Sequence, residues 1–285
     1  MIHDKEENIL VSLKKGDKKI IKRNNKLYKK FSDHIGKIPL VIISPDDRNL
    51  IIEGSETRRK FIDGIISQTD KEYLNNLIDY NKTLKQRNAL LKMFYDNSES
   101  IRKTIDIYDR QLSSDAQKIY DKRREFLNEF IPIFKSRYKE LSNDKENVEI
   151  KHSSDISPDQ NLYKLLKNSL EKDLRFQYTT KGIHKDDLNL SLDNFPIKKY
   201  GSQGQQKTFL IAMKLAQFDY LSKLDSKPIL LLDDIFDKLD DARVKQIINL
   251  VNQEKFNQIF ISDTNKTRSE NIIKKVNKSY KIFEI

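Results

Sequence analysis

Ile229-Leu230-Leu231-Leu232-Asp233-Asp234 is an apolar run that ends in two carboxylates. A run of this length after a proline reads as a buried strand. In an open α/β sheet, ligands collect beyond the carboxyl ends of the strands. Asp233 is then placed to hold Mg²⁺, directly or through water, because a hard cation prefers carboxylate oxygen. Asp234 is placed to polarise an attacking water. The bland reading of the same residues is a buried strand with capped ends. Upstream, Tyr200-Gly201-Ser202-Gln203-Gly204-Gln205-Gln206 opens an amphipathic helical pattern over Gln205 to Leu224. Two glycines and a serine at a helix start offer backbone N–H groups and a hydroxyl to an anion, and the helix dipole adds to the attraction. The bland reading makes Ser202 an ordinary helix cap. Downstream, Phe236-Asp237-Lys238-Leu239-Asp240 is a short acidic turn. Gln258-Ile259-Phe260-Ile261-Ser262 then reads as a strand that delivers Asp263 and Thr264 to where a γ-phosphate would be sensed.

These residues need a scaffold, and the chain supplies alternating elements. Ile9–Leu13 and Lys19–Lys22 read as strands, closed by turns at Lys14–Asp17 and Asn24-Asn25. Leu40-Val41-Ile42-Ile43 is a short buried strand stopped by Ser44-Pro45-Asp46-Asp47, and Glu56 to Ile66 is helical. From Lys71 the pattern is helical for a long stretch, with Leu77, Leu84 and Leu91 at seven-residue spacing, the seam of one helix packed on another. Ser114 and Gln117 fit a capping box and predict a new helix start there, and Pro132 predicts a kink. Val148–Ile150 reads as a short strand, 161–174 as a helix and Leu188–Leu192 as an alternating strand turned by Asp193-Asn194. Helices over 241–252 and 268–276 and a last strand ending at Ile285 complete a mainly parallel α/β segment.

Composition narrows the chemistry. The 285 residues contain no cysteine, which excludes disulfides, thiolate metal sites and a thiol nucleophile. Lys plus Arg number 54 against 43 acids, a formal net charge of +11. Residues 1–43 hold 11 of those bases against 5 acids, and Lys14, Lys15, Lys18 and Lys19 crowd one turn. Such a block suits phosphate binding and makes these four lysines candidate nucleic-acid contacts; equally, lysines solvate strand faces in a Lys-, Asn- and Ile-rich chain. No apolar run is long enough for a membrane span and the amino terminus lacks the stretch of a secretory signal, so the expected location is the cytoplasm. His3, His34 and His152 stand in no ligand spacing, and nothing forms a nucleophile–base triad.

Taken in order, the glycine-serine turn, acid-ended strand, L-D turn and sensor strand resemble the RecF family of ABC-type ATPases, related to the SMC proteins. Gly201–Gln206 matches that family's form of the ABC signature, and Leu230–Asp240 its Walker B and D-loop. Gly182-Ile183-His184-Lys185-Asp186-Asp187 is similar to its G-P-H-R-D-D stretch, with Ile183 and Lys185 as departures. Ser44–Asp47, Arg58-Arg59-Lys60-Phe61 and Leu84–Leu91 are similar as well. The resemblance implies an ABC-type α/β head with an incomplete first lobe and an inserted helical arm. It divides the chain at 1–69 for the remainder of lobe I, 70–175 for the arm and 176–285 for lobe II. Its cofactors are ATP and Mg²⁺. It implies Asp233 as the metal ligand, Asp234 as the base, and Ser202, Gln203, Gly204 and Gln205 at the γ-phosphate of ATP held by a second subunit. It implies Asp240 at that ATP-dependent homodimer interface and Thr264 as the switch residue. It implies a DNA replication and repair protein that binds single-stranded and gapped duplex DNA and works with RecO and RecR to load RecA, within the SOS response. A positioning role is expected of His184.

One departure is large. None of the seven glycines belongs to a G-x-x-x-x-G-K-[ST] phosphate loop. The chain is therefore expected to begin inside the first lobe, and hydrolysis by this chain alone is not expected. The alternative reading is a non-hydrolysing remnant that binds DNA or RecR. An ABC transporter ATPase fits less well, because the long helical stretch and the paired aspartates match the repair family.

Overall fold

The computed structural model describes residues 6–17, 19–93, 99–144, 146–223, 228–234, 258–264, 270, 274 and 279–283. Among the described residues three small sheets carry the strands. The first is antiparallel: β1 (Ile9–Ser12), β2 (Ile20–Arg23) and β3 (Lys26–Leu27). Asn24 and Asn25, both at positive φ (49° and 63°), make the tight turn between its last two strands, a conformation that asparagine tolerates better than most residues.

The second sheet is parallel and positions the site. Its order is β4 (Leu40–Ile43), β8 (Ile229–Asp233), β9 (Gln258–Ser262), with Ile43 opposite Leu232 and Asp233 opposite Ser262. Val41, Ile43, Leu230 and Leu232 are buried while Leu40 and Ile42 are exposed, so one face of this sheet carries the core. Helix α7 (Gln203–Leu221) covers that face and packs on its other side against a long helix, α4 (Glu99–Ser142). It is accordingly apolar nearly all round: Phe209, Ala212, Met213, Ala216, Phe218 and Leu221 are fully buried. Phe134 of α4 meets Phe209 with ring centroids 4.7 Å apart.

The third sheet is antiparallel: β5 (Val148–Ser153), β6 (Asp187–Leu192) and β7 (Phe195–Pro196). The short helices α1 (Asn49–Ile52) and α6 (Ile197–Tyr200) and the longer α2 (Ser55–Thr69), α3 (Lys71–Met93) and α5 (Leu162–Phe176) complete the described chain. The leucine seam faces as expected, with Leu74 and Leu91 buried and Leu77 and Leu84 packed against the core. Arg87, fully buried, ties three elements together: it donates to Asp109 of α4 at 2.6 Å, to Asp173 of α5 at 2.8 Å and to Thr179 at 2.9 Å. Breaking such a set by removing one partner leaves a buried charge uncompensated and costs about 3–5 kcal/mol.

Two expectations need correction. No helix starts at Ser114. α4 runs through it, because Leu112, Ala116 and Ile119, all at 0% exposure, keep one unbroken apolar face. Ser113 Oγ serves another helix instead, accepting from Tyr163 N at 3.2 Å. Residues 279–283 form no strand, and the expected helices at 241–252 and 268–276 fall largely outside the described residues. Among the described residues no helix is long and apolar enough to cross a membrane.

Candidate nucleotide-facing site

The carboxyl edge of the parallel sheet assembles the acids. Asp233 is the last residue of β8, exposed, and Ser262 Oγ at the end of β9 donates to its Oδ1 at 2.5 Å. Asp234 follows in the left-handed region (φ 45°), and its N–H donates to Ser262 O at 3.1 Å. That turn carries Asp234 off the strand into a cleft of about 250 Å³, shared with Ser44, Asp47, Arg48, Gln203 and Lys207. Thr264 lies two residues beyond β9 at the same edge and is exposed. Asp240 lies outside the described residues.

The glycine-serine turn is built by two interlocking devices. Ser202 is the N-cap of α7: its Oγ accepts from Gln205 N at 3.2 Å, and Gln205 Oε1 accepts from Ser202 N at 2.8 Å, a reciprocal capping box. Gln206, buried, donates from Nε2 to Gly201 O at 3.0 Å and Ile197 O at 3.3 Å, which folds the turn back onto α6. Gly201 has to be glycine for that approach, since a Cβ there would sit 2.7 Å from Ile197 Cγ1 and 2.8 Å from Ile197 O. The cap reading of Ser202 is thus correct and does not compete with an anion role. Capping uses a lone pair of the hydroxyl, leaving its O–H to donate. The N–H groups of Gln203 and Gly204, in the first turn, have no intrahelical acceptor.

Glu146, just after α4, is a residue that sequence reasoning missed. Its Oε1 accepts from Gln205 Nε2 at 2.9 Å and its Oε2 from the Tyr138 hydroxyl. Ser262 was missed too, because the strand register that sets it opposite Asp233 has no local signature.

The donor set can be tested against the implied groups. Asp233 has one carboxylate oxygen engaged by Ser262 and lies in the open at a strand end. Among the described residues no three His, Cys, Asp or Glu side chains gather as a metal cage. That fits Mg²⁺, which takes one or two carboxylates and completes its shell with water and phosphate oxygen. The Ser202 hydroxyl and the first N–H groups of α7 fit a phosphate.

Gly182–Asp187 forms a separate knot where α2, α3, α4 and β6 meet. Gly182 has φ 131°, and a Cβ there would lie 2.5 Å from the Tyr80 hydroxyl. His184 is held between Tyr80 Oη at 2.7 Å from Nδ1 and Thr179 O at 3.0 Å from Nε2. A carbonyl only accepts, so Nε2 carries the proton and Nδ1 accepts from Tyr80. Burial pushes the imidazole pKa down to about 4, against the Thr179 hydrogen bond, which favours the charged form. Arg123, 1% exposed, donates to Asp63 at 2.9 and 3.0 Å, to Asp186 at 2.8 Å and to Ile183 O at 2.9 Å. Burial alone would lower its pKa; Asp63, Tyr73 and Asp186 together hold it above the usual arginine value. Asp187 accepts from Arg58 on both oxygens, at 2.6 and 3.0 Å. Lys14, Lys15 and Lys19 are exposed in the β1–β2 connection, with Lys14 loosely paired to Asp17 at 3.8 Å, and Lys18 lies outside the described residues.

No protein-family profile matches the chain. Curated relatives do. The chain is 54% identical over 284 residues to the DNA replication and repair protein RecF of Flavobacterium johnsoniae, covering 99% of this chain and 79% of that one. It is 49% identical over 280 residues to the protein of the same name from Bacteroides thetaiotaomicron, covering 98% and 75%. Among solved structures, the recombination mediator protein RecF-ATP in the RecFOR pathway superposes with a TM-score of 0.81 at 31% identity, over 91% of this chain and 71% of that one. A second structure of that mediator, RecF-ATPrS, gives 0.80 at 30% identity over the same shares. The likeness spans the parallel edge, the capped turn and the arm alike, and with a relative more than half identical over 79% of its own length, the chain belongs to the RecF family of DNA replication and repair proteins.

Proposed function

We propose that the chain is an ATP-dependent DNA-binding protein of replication and recombinational repair, acting on single-stranded and gapped duplex DNA with RecO- and RecR-type partners. One observation carries this reading: a single parallel edge brings Asp233 and Ser262 together and sends Asp234 into the cleft that also holds Gln203. Asp233 is the ligand for Mg²⁺, which when bound neutralises phosphate charge. Asp234, as the base, accepts a hydrogen bond from the attacking water and so orients it. Ser202 O–H and the Gln203 and Gly204 N–H groups, with Gln205 locking the cap, present donors to a γ-phosphate on a second copy, so ATP joins two heads. Asp240 and Thr264 take the interface and sensing roles.

This reading divides the chain into lobe I (1–69), arm (70–175) and lobe II (176–285). The buried Arg87 set supports the arm as one unit, and the β5–β6 ladder fastens it to lobe II. The test is fluorescence anisotropy of a labelled gapped duplex titrated with the chain, with and without ATP–Mg²⁺. ATP–Mg²⁺ is expected to tighten binding, and Asp233→Asn to remove that gain while sparing nucleotide-independent binding. Superimposable isotherms with and without nucleotide would overturn the proposal.

A further inference from the structure

A second cavity, of about 270 Å³, opens between α2, α3 and the Gly182–Asp187 knot, lined by Arg59, Lys60, Asp63, Asn81, Arg123 and His184 among others. Its charges balance in sum but are paired unevenly. Lys60 is matched by Glu56 at 2.7 Å, and Arg123 is saturated by Asp63 and Asp186. His184 is neutral at physiological pH. Arg59 is the remainder. It is half-buried and donates from Nη1 to the Asp186 carbonyl at 2.6 Å, and among the described residues it pairs with no carboxylate. Burial and the neighbouring Arg123 hold its pKa below the usual arginine value, against the attraction of Asp186, Asp187 and Asp63. A guanidinium held in place through one of five N–H donors keeps the rest for a ligand.

The other donors point to the kind of ligand. Lys60 comes from the same helix as Arg59 and Asn81 from the helix facing it, so donors reach the cavity from two sides. A phosphate group offers three or four acceptor oxygens to such a set and takes arginine bidentately, whereas a carboxylate offers two. We infer that this cavity is a phosphate-group site anchored by Arg59, separate from the nucleotide-facing edge. Its phosphate comes either from a free phosphate-bearing molecule or from a DNA phosphodiester, and only the second source rests on the DNA reading above.

His184 in the cavity wall gives a readout independent of activity. Titrating the chain with inorganic phosphate should shift the His184 imidazole resonances in long-range ¹H–¹⁵N spectra. Arg59→Gln should abolish that shift and Arg59→Lys should retain part of it, which guards against a variant that merely misfolds. If a gapped oligonucleotide produces the same shift, and Arg59→Gln lowers the slope of log K against log salt by about 0.7–0.9, the source is DNA. A shift with inorganic phosphate but not with the oligonucleotide supports the site with a free phosphate source. Absence of any phosphate-induced shift, or an identical shift in Arg59→Gln, overturns the inference. A response to a hexaglutamate peptide but not to phosphate also overturns it, in favour of a protein carboxylate.

Discussion

His184 is the residue where a sequence motif turns into a measurable property. Its folded pKa of about 4 lies below the ordinary value near 6.5. The unfolded chain therefore binds a proton that the folded one refuses as pH falls. The stability tied to the neutral ring is complete above about 6.5 and is lost as pH drops toward 4, worth at most about 3 kcal/mol. Urea unfolding of wild type and His184→Gln at pH 7, 5.5 and 4.5 checks this. The difference between the two should shrink as pH falls, whatever His152 and Asp186 contribute in both. A difference constant with pH would rule the assignment out. At this scale the sequence was legible where the local geometry is set by consecutive residues, as in the strand end at Asp233-Asp234 and the capped turn at Gly201–Gln206. It was silent on Arg123, Glu146 and Ser262, whose partners lie far away along the chain and whose roles exist only once the elements pack.

Among the elements, α4 shows how burial overrides a local signal. Ser114 has the residue type and spacing of a cap, yet it sits exposed in mid-helix while its neighbours bury an unbroken stripe. Capping free energy of about 1 kcal/mol cannot interrupt a face whose buried side chains contribute about 1.5–3 kcal/mol each. The sign of one substitution separates the two readings. As an exposed interior helical position, Ser114→Ala should raise stability by about 0.5 kcal/mol; as a cap it would lower it by about 1 kcal/mol. Thermal unfolding resolves the difference. The strands were easier to read than this helix boundary, because Ile229–Leu232, Gln258–Ser262 and Leu188–Leu192 are bounded by turn residues that nothing in the packing contradicts.

For the whole molecule, the net charge of +11 permits a polyanionic partner without locating it. The hairpin lysines are the natural place to ask. Neutralising Lys14, Lys15, Lys18 and Lys19 together should weaken DNA binding and flatten its salt dependence, by about 0.9 in slope for each duplex phosphate that the hairpin no longer neutralises. An unaltered slope would exclude that hairpin. The fold class could be read because alternating elements permit few arrangements, but which strands become neighbours could not. The β4–β8 pairing that underlies the site joins residues about 190 positions apart, and pairings that distant form slowly because the loop between them must close first. Helices α3 and α4 meet through a short connection and can associate while the chain is still being synthesised. The carboxylate edge has no such head start: it cannot exist until Ser262 has left the ribosome. A nascent chain therefore holds α3 packed on α4 before β9 can dock beside β8, and a chain stopped short of Ser262 would keep that helix pair while Asp233 lacked the hydroxyl that donates to it.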